Sequence, residues 1–173
     1  MVLTKAPPAP MEALLAAELP ISSDKCEAGE GWQYEPKWDG FRCLARRDGD
    51  DITLTSKSGK PLARYFPEVV AMLASLKERR FLLDGELIIP IGDALSFGAL
   101  QMRLHPAESR IRRLASETPA ELMLFDLLSL GGKSLAGRPL SERRRELEKF
   151  HAGQHAPGVL LSPATHDHGI ALG

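Results

Sequence analysis

The sequence predicts an α+β fold in which antiparallel β-sheets are flanked by helices. Three observations support this fold class: two alternating apolar and polar runs joined by a turn, two dense apolar segments of strand length, and helical patterns that lie between them. At 173 residues and 43% hydrophobic, the chain is long enough to bury the core of about one domain.

Charge and cysteine content narrow the functional class. The net charge of -1 argues against a basic surface over the whole molecule, although it leaves room for local basic patches. Cys26 and Cys43 match no metal-binding spacing and fit a reducing compartment. The N-terminal residues contain early prolines and an apolar run interrupted by Glu12, so they resemble neither a signal peptide nor a membrane anchor. We therefore expect a cytoplasmic protein with no membrane partner.

The chain divides into an N-terminal arm, residues 1–31, and one domain, residues 32–173. Prolines and glycines in the arm surround a single helical candidate, Met11–Glu18. No repeat, low-complexity tract or linker divides residues 32–162, so this part is treated as one unit.

A β-hairpin is expected at the start of the domain. Its first strand alternates in polarity from Phe41 to Ala45, a turn covers residues 48–51, and the chain returns over residues 52–56. The next loop, residues 56–61, holds two lysines, two hydroxyls and a glycine. This composition fits either a phosphate-binding loop or a solvated turn.

Four helices follow from the polarity pattern and the capping residues. They are expected over residues 67–80, 96–104, 107–115 and 142–150. Pro67 begins the first helix, whose apolar stripe would cover one face of a sheet. Ser96 and Ser141 are suitable caps for the second and fourth. Arginines of the third helix should face solvent or nucleic acid, and the fourth should lie on the surface because its apolar residues are few.

Three further strands are expected over Phe81–Pro90, Ala120–Leu130 and Val159–Leu161. Asp84 and Glu86 interrupt the first of them and share one face, about 7 Å apart along the strand. Two carboxylates in an otherwise apolar strand would be satisfied by a ligand sugar or a metal, unless that face lies at an exposed edge.

The second of these strands carries an aromatic residue beside an acidic one. Alternation places Met123, Phe125 and Leu127 on one face and Leu124, Asp126 and Leu128 on the other. Phe125 could form the flat wall of a base pocket, or it could pack as ordinary core.

The stretch Tyr34–Arg42, YEPKWDGFR, contains the best candidate for a reacting group, Lys37. A lysine amine is a nucleophile only when it is neutral, so it must be desolvated or held near other cations. Asp39 would share its face of an extended chain, and Gly40 would allow a ligand or another backbone to come close. A surface strand with alternating charges explains this stretch equally well when it is taken alone.

Four segments occur together in the order and approximate spacing of a known family: KWDG (37–40), SKSGK (56–60), LLDGELII (82–89) and LMLFDLL (122–128). They resemble the motifs of the covalent nucleotidyltransferases. The connecting sequence, including GKPLARYFPEVV and GRPLSERRREL, is similar to that of bacterial ATP-dependent DNA ligases of the small repair-associated kind. The resemblance covers Pro10 to about Phe150 and implies the nucleotidyltransferase architecture, related to the ATP-grasp fold.

The resemblance implies an ATP-binding site around the lysine. Lys37 would attack the α-phosphate of ATP, with Mg²⁺ as cofactor, and form lysyl-AMP. Glu35 would read the adenine amino group through its backbone, and Arg42 would hold the ribose side of the nucleotide. Glu86 would bind the ribose hydroxyls, and Phe125 would stack on adenine.

The resemblance also implies DNA contacts. Asp39 would help to organise the metal and the nick. Lys57, where many relatives have arginine, would contact the 5'-phosphate of nicked double-stranded DNA. AMP would pass to that phosphate, and the adjacent 3'-hydroxyl would then displace it. Metal ligands stay unassigned, and the histidines of Thr165–His168 are interpreted as solvated.

Relatives of this kind continue with a strand that carries a glutamate, a strand with two lysines, and an oligonucleotide-binding barrel. Residues 150–173 contain neither glutamate nor lysine, so we expect a domain that is incomplete at its C-terminus and lacks the barrel. Self-adenylation by this chain alone should be weak or absent, and nick sealing should not occur. A further portion or a partner chain would complete the open sheet.

Two alternatives remain open beside the DNA ligase reading. An RNA ligase or an mRNA-capping-type nucleotidyltransferase shares the lysine chemistry. A non-catalytic remnant that binds nucleotide or a protein partner would lack turnover.

Overall fold

The computed structural model describes residues 2–3, 21–22 and 32–171. The strands are β1 (Val2–Leu3), β2 (Ile21–Ser22), β3 (Tyr34–Glu35), β4 (Phe41–Asp48), β5 (Asp51–Ser56), β6 (Arg80–Ile88), β7 (Pro90–Ile91), β8 (Ala94–Leu95), β9 (Glu121–Leu130), β10 (Lys133–Ser134) and β11 (Val159–Leu161). The helices are α1 (Pro67–Ala74), α2 (Phe97–Met102), α3 (Glu108–Glu117), α4 (Leu140–Gln154) and α5 (His168–Ala171). The helical candidate Met11–Glu18 and Cys26 lie outside the described residues.

The central sheet has the order β10-β9-β6-β4-β5, and all of these neighbours are antiparallel. β11 extends the sheet by pairing in parallel with the first half of β9. The predicted hairpin is confirmed, since β4 and β5 pair from Cys43 opposite Ser56 to Asp48 opposite Asp51. The α+β prediction is likewise confirmed, with one parallel edge strand added.

A second, smaller sheet contains the residues that precede the candidate lysine. β3 pairs with β1, and β1 pairs with β2. Tyr34 also exchanges two backbone hydrogen bonds with Thr165, at 2.8 and 3.0 Å. The chain therefore leaves one sheet at Glu35 and enters the other at Phe41, and Lys37 lies on the connection between them.

The hydrophobic core is formed on one face of the central sheet, where buried side chains of the strands meet those of α1 and α4. Its members include Leu54, Val69, Leu73, Leu83, Leu87, Leu122, Leu124, Leu127, Leu147 and Phe150. α1 begins at Pro67, as predicted, but ends at Ala74 instead of continuing to residue 80.

The prediction of a surface helix near the C-terminus is wrong. α4 begins at Leu140, directly after Pro139, has no side-chain cap, and continues to Gln154. Its buried residues are Arg143, Arg144, Leu147 and Phe150. The two arginines occupy the same stripe as the apolar residues, since Arg143 lies four residues before Leu147 and Arg144 three residues before it.

α1, α2 and α3 are joined through one arginine. The Arg103 side chain is fully buried and pairs with Glu68 of α1 at 2.6 Å. It also donates hydrogen bonds to the backbone carbonyls of Tyr65, Leu114 and Thr118, at 2.9 to 3.2 Å. A buried guanidinium is stable only when it is paired in this way.

The remaining helix predictions agree with the structure. The Ser96 hydroxyl accepts a hydrogen bond from the Ala99 amide at 3.2 Å and caps α2. The three arginines of α3 that were expected to face outward, Arg110, Arg112 and Arg113, are exposed. Within the described part of the chain, the helices are too short or too polar to cross a membrane.

Candidate active site

Lys37 lies in the loop of residues 36–40 between β3 and β4, and its side chain is exposed, as is that of Asp39. The loop is joined to the central sheet at Gly40, whose amide donates to Glu86 Oε1 at 3.1 Å. A Cβ at Gly40 would lie 2.2 Å from the Leu87 carbonyl oxygen. Any larger residue would therefore force the loop away from β6, which agrees with the close backbone approach predicted for this glycine.

Arg42 and Asp84 form a charged pair at the centre of the candidate site. The Arg42 guanidinium donates through Nε and Nη2 to the two carboxylate oxygens of Asp84, both at 2.5 Å. Its central carbon lies 5.2 Å from the centre of the Phe125 ring. Asp84, which was expected to meet a sugar or a metal, is thus satisfied by a protein cation, and Arg42 is held against the aromatic residue.

A bulge in β9 brings Phe125 to the side of the sheet that carries Arg42. Asp84 pairs with Asp126 and Gly85 pairs with Leu124, so Phe125 is the extra residue between them. Leu124 and Leu127 both belong to the core, whereas simple alternation placed them on opposite faces. The predicted face assignment of Leu127 is therefore wrong, because a bulge reverses the alternation beyond it.

Glu86 carries a partly exposed carboxylate beside these groups. Burial raises the pKa of this carboxyl to about 7, and the nearby carboxylates of Asp84 and Asp39 act in the same direction. The Arg42 guanidinium and the Gly40 amide oppose the rise. Glu86 therefore changes charge near neutral pH, at the edge of a site that already contains an arginine.

Glu35 and Lys57 lie in contrasting environments. The Glu35 carboxylate is buried and accepts a hydrogen bond from Gln33 Nε2 at 2.6 Å. Burial raises the pKa of Glu35, while Ser162 and Gln33 oppose the rise. Lys57 is exposed in the turn that follows β5. The structure thus brings Arg42, Glu86 and Phe125 together, buries Glu35, and leaves Lys57 on the surface.

Residues 10–167 match the family model described as ATP dependent DNA ligase domain. The chain belongs to this family. The match covers nearly the whole chain and confirms the resemblance carried by the four segments.

Two curated relatives resemble this ligase domain over most of its length. DNA ligase C of Mycobacterium tuberculosis (strain ATCC 25618 / H37Rv) is 50% identical over 137 residues, which cover 78% of the chain and 38% of that protein. DNA ligase C1 of Mycolicibacterium smegmatis (strain ATCC 700084 / mc(2)155) is 46% identical over 143 residues, covering 80% of the chain and 40% of that protein. The chain thus spans about two fifths of the length of these relatives.

Solved structures confirm the fold of the ligase domain. The ligase domain of M. tuberculosis LigD is 26% identical with a TM-score of 0.60, and the match covers 81% of the chain and 42% of that structure. A mycobacterial DNA ligase D complexed with ATP gives a TM-score of 0.59 at 26% identity, with the same coverage. The predicted nucleotidyltransferase architecture is therefore confirmed.

Two residues next to Phe125 in the ligase domain, Asp126 and its partner Arg143, carry no motif that predicts a role at the site. Arg143 donates to both Asp126 oxygens at 2.8 to 3.0 Å, and both side chains are buried. The pair joins α4 to the strand segment that presents Phe125. Its signal in the sequence is the spacing of Arg143, which lies four residues before Leu147 and seven before Phe150 on one helical stripe.

The stability of the ligase domain should fall as pH rises from about 4.5 to about 7. Over this range the folded Glu86 carboxyl keeps a proton that the unfolded chain releases, so rising pH favours the unfolded state. Glu86→Gln retains the acceptor for the Gly40 amide but does not titrate. Urea unfolding at several pH values should therefore show the variant gaining stability relative to the wild type as pH rises. A difference between the two proteins that stays constant from about pH 4 to about pH 8 would contradict this expectation.

Proposed function

We propose that this ligase domain is the adenylation centre of an ATP-dependent DNA ligase, with residues 1–31 as its N-terminal arm and residues 32–173 as the catalytic unit. One observation carries the proposal: the Lys37 loop is hydrogen-bonded at Gly40 to the strand that holds Glu86, beside Arg42 and Phe125. The loop that carries the Lys37 amine is therefore attached beside a carboxylate, a cation and an aromatic ring.

The chemistry begins with Lys37. Its neutral amine attacks the α-phosphorus of ATP, the nitrogen–phosphorus bond forms, the bond to the bridging oxygen breaks, and pyrophosphate leaves. The amine proton passes to solvent, which reaches the side chain because it is exposed. The product is a lysyl-AMP phosphoramidate.

The nucleotide would be held by the residues around the Phe125 bulge. The Phe125 ring is partly exposed and offers a surface for adenine. The Glu86 carboxylate would accept hydrogen bonds from the ribose hydroxyls, and Arg42, fixed by Asp84, would hold the ribose side. Glu35 would contact the adenine amino group through its backbone, since its carboxylate is buried.

The donor groups of the site fit a magnesium ion. Among residues 32–171 no three His, Cys, Asp or Glu side chains gather into a metal site. Mg²⁺ at phosphoryl-transfer centres is commonly held by one or two carboxylates together with substrate phosphates, which suits Asp39 beside Glu86. The ion would neutralise charge on the transferred phosphoryl group.

The chain spans only 38% of the length of DNA ligase C. DNA joining is therefore proposed as an activity of the whole protein and not of this chain alone. AMP would pass from Lys37 to the 5'-phosphate of nicked double-stranded DNA, and the adjacent 3'-hydroxyl would then displace AMP. Lys57, exposed after β5, would contact that phosphate as a single point charge. Such a substrate fits a cytoplasmic role in DNA repair.

The test is incubation of the 173-residue chain with ATP or GTP labelled at the α-phosphate, in the presence of Mg²⁺. We expect acid-labile label from ATP, in a small fraction of the molecules, and mass spectrometry should find AMP in the peptide that contains Lys37. Equilibrium binding of ATP should be measured in parallel.

The outcomes separate the candidate functions. Label from GTP in preference to ATP would replace the DNA ligase proposal with a capping-type activity. ATP binding without label would support a non-catalytic nucleotide-binding domain. Neither label nor binding, in a chain whose circular dichroism shows that it is folded, would overturn the proposal.

A further inference from the structure

The loop that carries Lys37 is fixed to the rest of the molecule on both sides of the lysine. Before it, Tyr34 exchanges backbone hydrogen bonds with Thr165. After it, the Gly40 amide donates to Glu86. Between these two attachments, one side chain of the loop is hydrogen-bonded to the rest of the described chain: Trp38 Nε1 donates to Ser162 Oγ at 3.0 Å.

Ser162 is itself rigidly held. It is fully buried, just beyond the end of β11. Its amide donates to the Leu124 carbonyl at 2.9 Å, next to the bulge that presents Phe125. Its carbonyl accepts a hydrogen bond from Arg144 Nη2 of α4, also at 2.9 Å. The backbone of Ser162 is therefore held by both β9 and α4, and this fixes the position of the hydroxyl that accepts a hydrogen bond from Trp38.

Arg144, which donates to the Ser162 carbonyl, is itself held by a second contact. Arg144 Nε donates to Glu148 at 2.8 Å, one helical turn further along α4. The charge of Arg144 also favours the ionised form of the buried Glu35 carboxylate, two residues before Lys37. Ser162 thus lies at the junction of α4, β9 and the segment that contains the lysine.

We propose that Ser162 is a positioning residue that sets the direction of Lys37 through Trp38. The Lys37 side chain is exposed, so its direction depends mainly on the backbone of the loop. Trp38 directly follows Lys37, and its indole is hydrogen-bonded to the buried Ser162. Because an in-line attack tolerates little misplacement of the amine, loss of this contact should slow AMP transfer more than it weakens ATP binding.

The proposal rests on the adenylation function, and its experiment has a readout that does not depend on turnover. Ser162→Ala and Trp38→Phe each remove one side of the hydrogen bond, and the double variant removes both. Trp32→Phe and Ser116→Ala are matched controls, since Ser116 is exposed on α3. Hydrogen exchange of the backbone amides from Lys37 to Phe41 is measured for each protein, together with the single-turnover rate of AMP transfer and the affinity for ATP.

We expect Ser162→Ala to speed amide exchange in the loop and to slow AMP transfer, each by about tenfold, with ATP affinity changed less than about twofold. The two single variants should have similar effects on the loop, and the double variant should be no worse than Ser162→Ala, because both act there through the Trp38–Ser162 hydrogen bond. Ser162→Ala also removes the hydroxyl that hydrogen-bonds the buried Glu35 carboxylate, so its stability should fall further than that of Trp38→Phe. The control variants should behave like the wild type.

Two results would overturn the positioning role. One is wild-type exchange of the loop in Ser162→Ala. The other is additive effects of the two substitutions. If the wild-type chain takes up no AMP, the adenylation proposal fails, while the exchange measurements still decide whether Ser162 orders the loop. Urea unfolding of each variant identifies any effect that comes from global instability.

Discussion

Lys37→Ala is expected to reduce transfer of AMP to background, at least about 100-fold, while the variant still binds ATP within about threefold of the wild type. The substitution removes the nucleophile and leaves Arg42, Glu86 and Phe125 in place. Stability should change by no more than about 0.5 kcal/mol, because the side chain is exposed. Label transfer, equilibrium binding and urea unfolding measure the three effects separately.

Lys37→Arg distinguishes the charge of the residue from its reactivity. A guanidinium keeps the positive charge for the phosphates but stays protonated at any pH at which the domain is folded, so it should bind ATP and take up no label. Lys57→Ala is the matched control, since Lys57 is also exposed. This variant should keep its self-adenylation. Wild-type labelling in Lys37→Arg would exclude Lys37 as the nucleophile.

Arg103→Met is expected to lower the free energy of unfolding by about 3 to 5 kcal/mol. The methionine fills much of the same volume, so the loss comes from the polar groups that it leaves buried. These are the Glu68 carboxylate and the backbone carbonyls of Tyr65, Leu114 and Thr118. Because these groups lie in or beside α1 and α3, and Arg103 directly follows α2, the three helices should all loosen together. The measurement is the urea midpoint at a constant slope.

An exposed arginine provides the comparison. Arg112→Met removes an arginine of α3 that is paired with Glu108 on the surface. Its cost should stay below about 1 kcal/mol, as is usual for exposed ion pairs. A loss of less than about 1 kcal/mol for Arg103→Met would show that the buried network contributes little to stability.

Much of the fold is visible in local sequence patterns. The hairpin from Phe41 to Ser56 follows from alternation and its turn, and the start of α1 follows from Pro67, since each depends on residues close in the chain. The bounds of β11 agree with the prediction for Val159–Leu161. Its parallel pairing with β9 could not be predicted, because the partner of a strand depends on the path of the whole chain.

The candidate site was harder to predict than the strands that carry it. The sequence motif places Lys37 and Gly40 together because they lie on one loop. Alternation fails at Phe125, where one extra residue reverses the faces beyond it, and strand patterns contain no signal for such a bulge. The few apolar residues of residues 142–150 predict a surface helix, but the spacing of Arg143 to Leu147 and Phe150 places this arginine with the buried stripe.

The contact between Trp38 and Ser162 joins residues 124 positions apart in the chain. The hairpin that follows the lysine can form as soon as residue 56 is available, whereas the contacts of Trp38 and Tyr34 that hold the loop cannot form until the segment around residues 162–165 has been synthesised and has docked on β9. Folding of this region is therefore governed by contacts between distant residues, which form slowly. A nascent chain that stops before this segment would contain the complete lysine motif without the structure that orders it.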